Sequence, residues 1–266
     1  MTQLAAVLGW PIAHSRSPAM LNAAFQAAGL DAEMIAMATA PDQLAATIDG
    51  LRTLPMLGAS VTVPHKLAVH GLCDELSPAA RAIGAVNCLE LDRGRLVGHN
   101  TDAPGFVDAA RDAGIELRGL HVVLLGAGGA ARAVAHGAAG AGASIEIVAR
   151  SPCAWFAARP WTDLAAAIAH ADLLVDCTPT GLEPDADAAF AASLPLEGLP
   201  AGARVATLVY HRTTALLERA GALGHATVDG RGMLVHQAAR AFAIWTAQPA
   251  PVAVMTHALD DSLKTS

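Results

Sequence analysis

Several residue types are scarce in this chain of 266 residues: one tyrosine (Tyr210), two lysines (Lys66 and Lys264) and three asparagines (Asn22, Asn87 and Asn100). Charged residues supply only 15% and aromatics 4%. No block of Lys or Arg is present to neutralise phosphates in series, and the formal net charge is -7, so nucleic acid is not expected as a partner. No uncharged apolar run reaches the roughly 18 residues of a membrane span. The start, MTQLAAVLGWPIAHS, lacks the basic segment and cleavage site of a secretory leader, so a cytoplasmic protein is expected. Cys73, Cys88, Cys153 and Cys177 are widely spaced with no CxxC, which reads as reduced core thiols and predicts neither a disulfide framework nor a metal site.

What is abundant is apolar. Hydrophobic residues make up 53%, which excludes disorder for the bulk of the chain, and the length suits one large domain or two ordinary ones. Among the cations, 15 are Arg and 2 are Lys. A lysine kept mid-chain against that bias is informative, because an ammonium can give up a proton near neutrality and a guanidinium cannot.

Strands are expected at 4–10, 31–38 and 58–63, with short paired strands at 85–92 and 95–99 around Arg93-Gly94. Helices are expected at 18–28, 41–51 and from 65 to 72, the first with Ser17 as N-cap and Pro18 at its first position. A helix at 103–113 leads to a second run of alternation: a strand and an Ala-rich helix within 121–142, strands at 144–150, 172–178 and 204–210, and helices at 161–169, 214–222 and 233–246. Such alternation predicts α/β architecture, with a parallel, doubly wound sheet in the second part.

Three segments carry chemistry. GAGGAAR (126–132) follows a strand and opens a helix, so its backbone can approach a pyrophosphate at the helix N-terminus; a tight turn without ligand is the plainer reading. The next strand ends Ala149-Arg150-Ser151, where NAD enzymes usually carry an acid for the ribose hydroxyl. A guanidinium there favours the 2′-phosphate of NADP; Glu146 has about the spacing of an NAD clamp but falls mid-strand. VTVPHK (61–66) puts Lys66 in the first turn after a strand, and NTD (100–102) gathers an amide, a hydroxyl and a carboxylate. A Lys–Asp pair can pass a proton to a carbonyl or alcohol oxygen. The plainer readings are a surface lysine and a helix cap. HSRSP (14–18) offers Ser15 and Ser17 to a carboxylate, or simply an N-cap.

These segments, with IGAVNC, GHNTDAPGF, DLLVDCTPTGL, VYHRTTALLERA and GRGMLVHQAARAFAIW, stand in an order and spacing similar to those of the shikimate dehydrogenases over roughly residues 4–247. The resemblance implies an N-terminal α/β substrate domain (1–103), with a final helix at about 236–260 packing back on it, and a C-terminal Rossmann-type, doubly wound dinucleotide-binding domain (104–235). It implies reversible NADP-dependent reduction of 3-dehydroshikimate to shikimate, with Lys66 and Asp102 as the catalytic pair. Ser15, Ser17, Thr62, Asn87, Tyr210 and Gln237 then resemble the substrate contacts. Gly126, Ala127, Gly128, Gly129, Ala130, Arg150 and Ser151 resemble the phosphate contacts, and Thr178, Leu208, Gly230 and Met233 would lie near the nicotinamide. A monomer or homodimer is implied.

Four departures from the family pattern are evident: Ala149 and Ser151 flank Arg150 where Asn and Thr are common, the stretch 151–172 is short, Pro78 stands where an acid is often found, and Asp176 stands where Asn is usual. An NAD-linked quinate, shikimate or aminoshikimate dehydrogenase is the alternative reading, and a non-catalytic binding protein a third, disfavoured by the intact Lys66 and Asp102.

Overall fold

The computed structural model describes residues 2–151, 155 and 157–264; Cys153 lies outside them. By internal contacts the chain divides into two compact units, Met1–Gly105 with Val235–Ser266, and Phe106–Leu234. The first contains β1 (Gln3–Gly9), α1 (Ser17–Ala27), β2 (Ala32–Ala38), α2 (Leu44–Leu51), β3 (Met56–Val61), α3 (Lys66–His70), β4 (Glu75–Leu76), α4 (Pro78–Ile83), β5 (Cys88–Asp92), β6 (Arg95–His99) and the first turn of α5 (Asp102–Asp112).

Its sheet has the order β2-β1-β3-β5-β6-β4. β1 runs parallel to β2 and β3, while β5 is antiparallel to both β3 and β6. As a result the C-terminal ends of β1, β3 and β6 and the N-terminal end of β5 share one edge. β1 and β3 are apolar on both faces because both faces are covered. Ala6, Leu8, Ala59 and Val61 pack with Ile48 and Leu51 of α2 on one side.

The single final helix expected over about 236–260 is instead two, α10 (Arg231–Thr246) and α11 (Val252–Lys264). Ala247 takes a positive φ of 54°, and Pro249 and Pro251 follow, a sequence that cannot carry helical hydrogen bonds onward. The second face of the sheet is closed by these helices: α1 packs on α11, the rings of Phe25 and Phe242 lie 5.6 Å apart, and Trp245 Nε1 donates to the Leu89 carbonyl at 2.9 Å. Gly58 is obligatory there, since a Cβ would fall 2.1 Å from Trp245 Nε1.

The second unit runs β7 (His121–Leu125), α6 (Gly129–Gly140), β8 (Ser144–Ala149), β9 (Arg159–Pro160), α7 (Leu164–Ile168), β10 (Leu173–Asp176), α8 (Pro184–Ser193), β11 (Arg204–Thr207), α9 (Ala215–Ala222) and β12 (Ala226–Val228). All pairings in its sheet are parallel, in the order β12-β11-β10-β7-β8-β9. The chain winds outward from β7 through β8 and β9, returns, and winds the other way from β10. That places a topological switch point between β7 and β10, the usual position of a nucleotide in such sheets.

The strand expected at 204–210 stops at Thr207, whose hydroxyl accepts from Val209 N at 3.3 Å and turns the chain out of the sheet. α8 has no counterpart among the expected helices, because its Ala-rich sequence PDADAAFAAS has no apolar period to read. Among the described residues, no helix is long and apolar enough to cross a membrane.

At the C-terminal end of β10 the Asp176 side chain is 2% exposed. Burial pushes its carboxyl up to about 6, opposed in part by the Thr178 backbone N–H and reinforced by Asp187. An unfolded aspartate releases its proton near pH 4. The folded state is therefore favoured by this group below that value, and the contribution is lost as pH rises through about 6. Asp176→Asn keeps an acceptor for Thr178 and removes the charge. It is expected to raise the urea-unfolding free energy at pH 8 by about 3 kcal/mol and to change it little near pH 4. Equal gains at both pH values would contradict this origin.

Candidate active site

Four chain segments meet at the shared edge of the first sheet. β3 ends at Val61, and the chain turns through Thr62 and Pro64 to Lys66, the first residue of α3. β6 ends at His99, and Asn100 caps α5: its Oδ1 accepts from Ala103 N at 3.2 Å, and its Nδ2 donates to the Ala85 carbonyl at 3.0 Å. The Asp102 carboxylate is therefore not needed as a helix cap and is available to other partners.

Lys66 Nζ donates to Asp102 Oδ2 at 2.7 Å, the two side chains being 15% and 5% exposed. Asn87, immediately before β5 and 2% exposed, holds the other oxygen: its Nδ2 lies 2.9 Å from Asp102 Oδ1, 2.9 Å from Thr101 Oγ1 and 3.3 Å from Gln237 Oε1. Its Oδ1 accepts from Thr101 N. One amide thus orders the whole NTD turn and ties in α10 through Gln237. The sequence offers the Thr101 hydroxyl as part of the NTD turn but gives it no partner; that partner, Asn87, is visible only once the turn is folded.

An ammonium carries three donors and Asp102 takes one, so Lys66 can offer another to a ligand oxygen. The buried carboxylate keeps that ammonium in place, and partners that fix both of its oxygens offset the cost of desolvating it. The cluster can hold an oxygen-rich ligand and deliver or accept one proton.

Ser15 and Ser17 follow β1 at the same sheet edge. Ser17 is not the N-cap: α1 begins at Ser17 itself, with no side-chain cap, and the Ser17 backbone N–H approaches Ser15 Oγ at 3.4 Å. Pro18, lacking an N–H, removes one donor that a cap would otherwise satisfy. Ser17 is buried and Ser15 half-buried.

The remaining residues belong to the second unit, where each follows a parallel strand. Gly126 has φ +98°, and a Cβ on it would come within 3.2 Å of Thr178 Cγ2, so the turns after β7 and β10 lie against each other at the switch point. Above Gly128 the space is open: a Cβ would meet nothing within 4 Å. α6 starts at Gly129 with no side-chain cap, leaving its first N–H groups, including those of Ala130 and its neighbours, unspent by the helix. A glycine turn with open space over it and an uncapped helix end fits a pyrophosphate. Arg150 and Ser151 are exposed just past the end of β8.

Glu146, weighed as an NAD clamp, is instead engaged within the sheet, by Arg159 Nε at 2.7 Å and His121 Nε2 at 3.1 Å. Leu208, Gly230 and Met233 come together around one apolar pocket with Phe106, Ala109 and Val228. A Cβ at Gly230 would sit 2.2 Å from the Leu208 carbonyl oxygen, so only glycine fits there. Tyr210 is half-buried, edge-on to His211 with ring centroids 5.8 Å apart. Among the described residues, no three His, Cys, Asp or Glu side chains are grouped to hold a metal ion.

A buried lysine–carboxylate pair on one sheet and a glycine-turn Rossmann sheet on the other define a dinucleotide-dependent oxidoreductase by class. The comparisons with known proteins are specific. The family model for the shikimate dehydrogenase substrate binding domain matches residues 7–89, and that for the shikimate 5′-dehydrogenase C-terminal domain matches residues 230–259. The shikimate dehydrogenase (NADP(+)) of Symbiobacterium thermophilum is 43% identical over 274 residues, covering 95% of this chain and 92% of that protein. The structure of shikimate 5-dehydrogenase from Thermus thermophilus in complex with NADP(H) and shikimate aligns with a TM-score of 0.88 at 36% identity, covering 98% of this chain and 100% of that one. The 5-ketofructose reductase of a Gluconobacter strain aligns with a TM-score of 0.80 at 31% identity, covering 98% and 99%. This chain belongs to the shikimate dehydrogenase family.

The network around Asn87 should be costly to break. Asn87→Ala leaves Asp102 short of a buried donor and Thr101 N without its acceptor, and is expected to lower unfolding free energy by about 2–4 kcal/mol in a urea titration. A loss under about 0.5 kcal/mol, the scale of a surface substitution, would show that the amide is not holding the turn.

Proposed function

We propose that the protein catalyses the reversible, NADP-dependent reduction of 3-dehydroshikimate to shikimate. The observation that carries the chemistry is the 2.7 Å contact between Lys66 Nζ and an Asp102 carboxylate whose other oxygen is held by Asn87. NADPH, when bound, supplies the hydride that the C3 carbonyl carbon receives. In that direction Lys66 gives its proton to the carbonyl oxygen as it becomes a hydroxyl; in the reverse direction the neutral amine takes the hydroxyl proton. Asp102 keeps the Lys66 side chain in place and accepts from a ring hydroxyl.

In this reading Asn87, Gln237 and Thr62 meet the ring hydroxyls, Ser15 and Ser17 meet the substrate carboxylate, and Tyr210 is a further substrate contact. The 126–130 turn takes the pyrophosphate and Arg150 with Ser151 the 2′-phosphate, while Thr178, Leu208, Gly230 and Met233 serve the nicotinamide end. The first unit is thus the substrate domain and the second the cofactor domain. Work in the cytoplasm, as a monomer or homodimer, belongs to the same proposal; the free thiols of Cys73, Cys88 and Cys177 suit a reducing compartment.

Two measurements test it. Lys66→Ala is expected to lower kcat for shikimate oxidation by about 10²–10⁴-fold, with a much smaller change in the shikimate KM. Near-normal turnover would remove the acid/base assignment. Arg150→Ala is expected to weaken NADP by roughly 10- to 100-fold in a fluorescence titration and to leave NAD nearly unchanged. A wild type that binds NAD as well as NADP would favour the NAD-linked alternative.

A further inference from the structure

The reactive lysine stands on a poor support. α3 has five residues, Lys66–His70, and a helix that short has no stability of its own. Its orientation, and with it the direction in which Lys66 leaves the backbone, must come from ties to other elements.

Those ties are few and lie on either side of Lys66. Ahead of it, the Lys66 carbonyl accepts from Val86 N at 2.8 Å. Behind it, His65 N donates to the Thr62 carbonyl at 2.9 Å, which closes the turn but anchors it only to itself. The side-chain anchor to an outside element is the His65 ring. It is 1% exposed, and its Nε2 lies 2.7 Å from the carbonyl oxygen of Thr39, just beyond β2. A carbonyl can only accept, so Nε2 carries the proton and donates.

The acceptor is itself fixed: Thr39 is 1% exposed and its N–H donates to the Gly9 carbonyl at 3.0 Å. The next strand end is bound to the same frame, with Thr62 N on the Leu8 carbonyl at 2.9 Å and Trp10 N on the Val63 carbonyl at 3.1 Å. His65 therefore joins the lysine-bearing turn to the ends of β1 and β2 from the side away from Asp102's own supports, Asn87 and Thr101.

We propose that His65 is a positioning residue for Lys66: its buried hydrogen bond to the Thr39 carbonyl sets where the lysine nitrogen stands relative to Asp102, without touching substrate. The proposal rests on the acid/base reading of Lys66. It separates rate from binding, because displacing the proton donor by a fraction of an ångström weakens the chemical step and leaves the carboxylate and hydroxyl contacts of the substrate in place.

The test is a matched pair. His65→Gln keeps an N–H donor near the position of Nε2; His65→Met has the same length and no donor. His65→Met is expected to lower kcat for shikimate oxidation about tenfold, with the shikimate KM changed less than about threefold, while His65→Gln recovers most of the loss. Both should retain NADP affinity in a fluorescence titration. If His65→Met does not fold, His65→Leu is read against His65→Gln in the same way.

Equal losses in the Gln and Met variants, a rise in KM with kcat unchanged, or full turnover of the donor-less variant would each overturn the proposal. Lys66→Ala is assayed alongside. If it retains turnover, the acid/base reading has failed; if it is inactive while His65→Met is unimpaired, only the positioning role has failed.

Discussion

A single buried amide organises the edge of the first sheet where the ends of β3 and β6 meet the start of β5. Asn87 presents its nitrogen to Asp102, Thr101 and Gln237 and its oxygen to the Thr101 backbone, and all of these groups are buried. Without it a carboxylate that is 5% exposed would face only Lys66, and a buried ion pair with unmet lone pairs is a net cost. With it, the Lys66–Asp102 pair has one geometry. The antiparallel placement of β5 between β3 and β6 makes this possible, since it brings the start of β5 beside the ends of the other two.

The two sheets solve different problems by related means. In the second unit every ligand candidate follows the C-terminal end of a parallel strand, where backbone N–H groups and helix ends face outward. The candidate groups there are mostly backbone ones, with glycine at 126, 128 and 230 and only Arg150, Ser151 and a few others contributing side chains. The first unit instead uses side chains of defined chemistry, locked by one another. A fold of this kind does not fix the substrate: the Gluconobacter 5-ketofructose reductase shares it at a TM-score of 0.80. The substrate reading rests on the side chains at the edge of the first sheet.

The sequence was most legible where composition is unusual or a turn demands glycine. Against an arginine-rich background, one of two lysines, two of three asparagines and the sole tyrosine fall in the segments assigned to the site. The glycine turn, the strands on either side of it and the parallel order of the second sheet could be read from apolar runs alternating with helices. The Ala-rich helix α8 and the separate helix α11 were not legible in advance, the first for want of an apolar period; the end of α10 near Thr246 could be read, but the apolar pattern beyond Pro249 joins on to it and marks no helix of its own.

By itself, then, the sequence determined the two α/β units, the residue types available for proton transfer and phosphate binding, and the family pattern into which they fall. The tertiary structure decided which side chain meets which. Asp102 could have capped its helix, but Asn100 does so; Ser17 could have capped α1, but Pro18 lessens the need; Glu146 could have held a ribose, but Arg159 and His121 engage it. Each choice turns on a partner brought by another part of the chain. Local sequence lists the donors and acceptors a segment carries, while long-range pairing in the folded sheets settles which of them are spent.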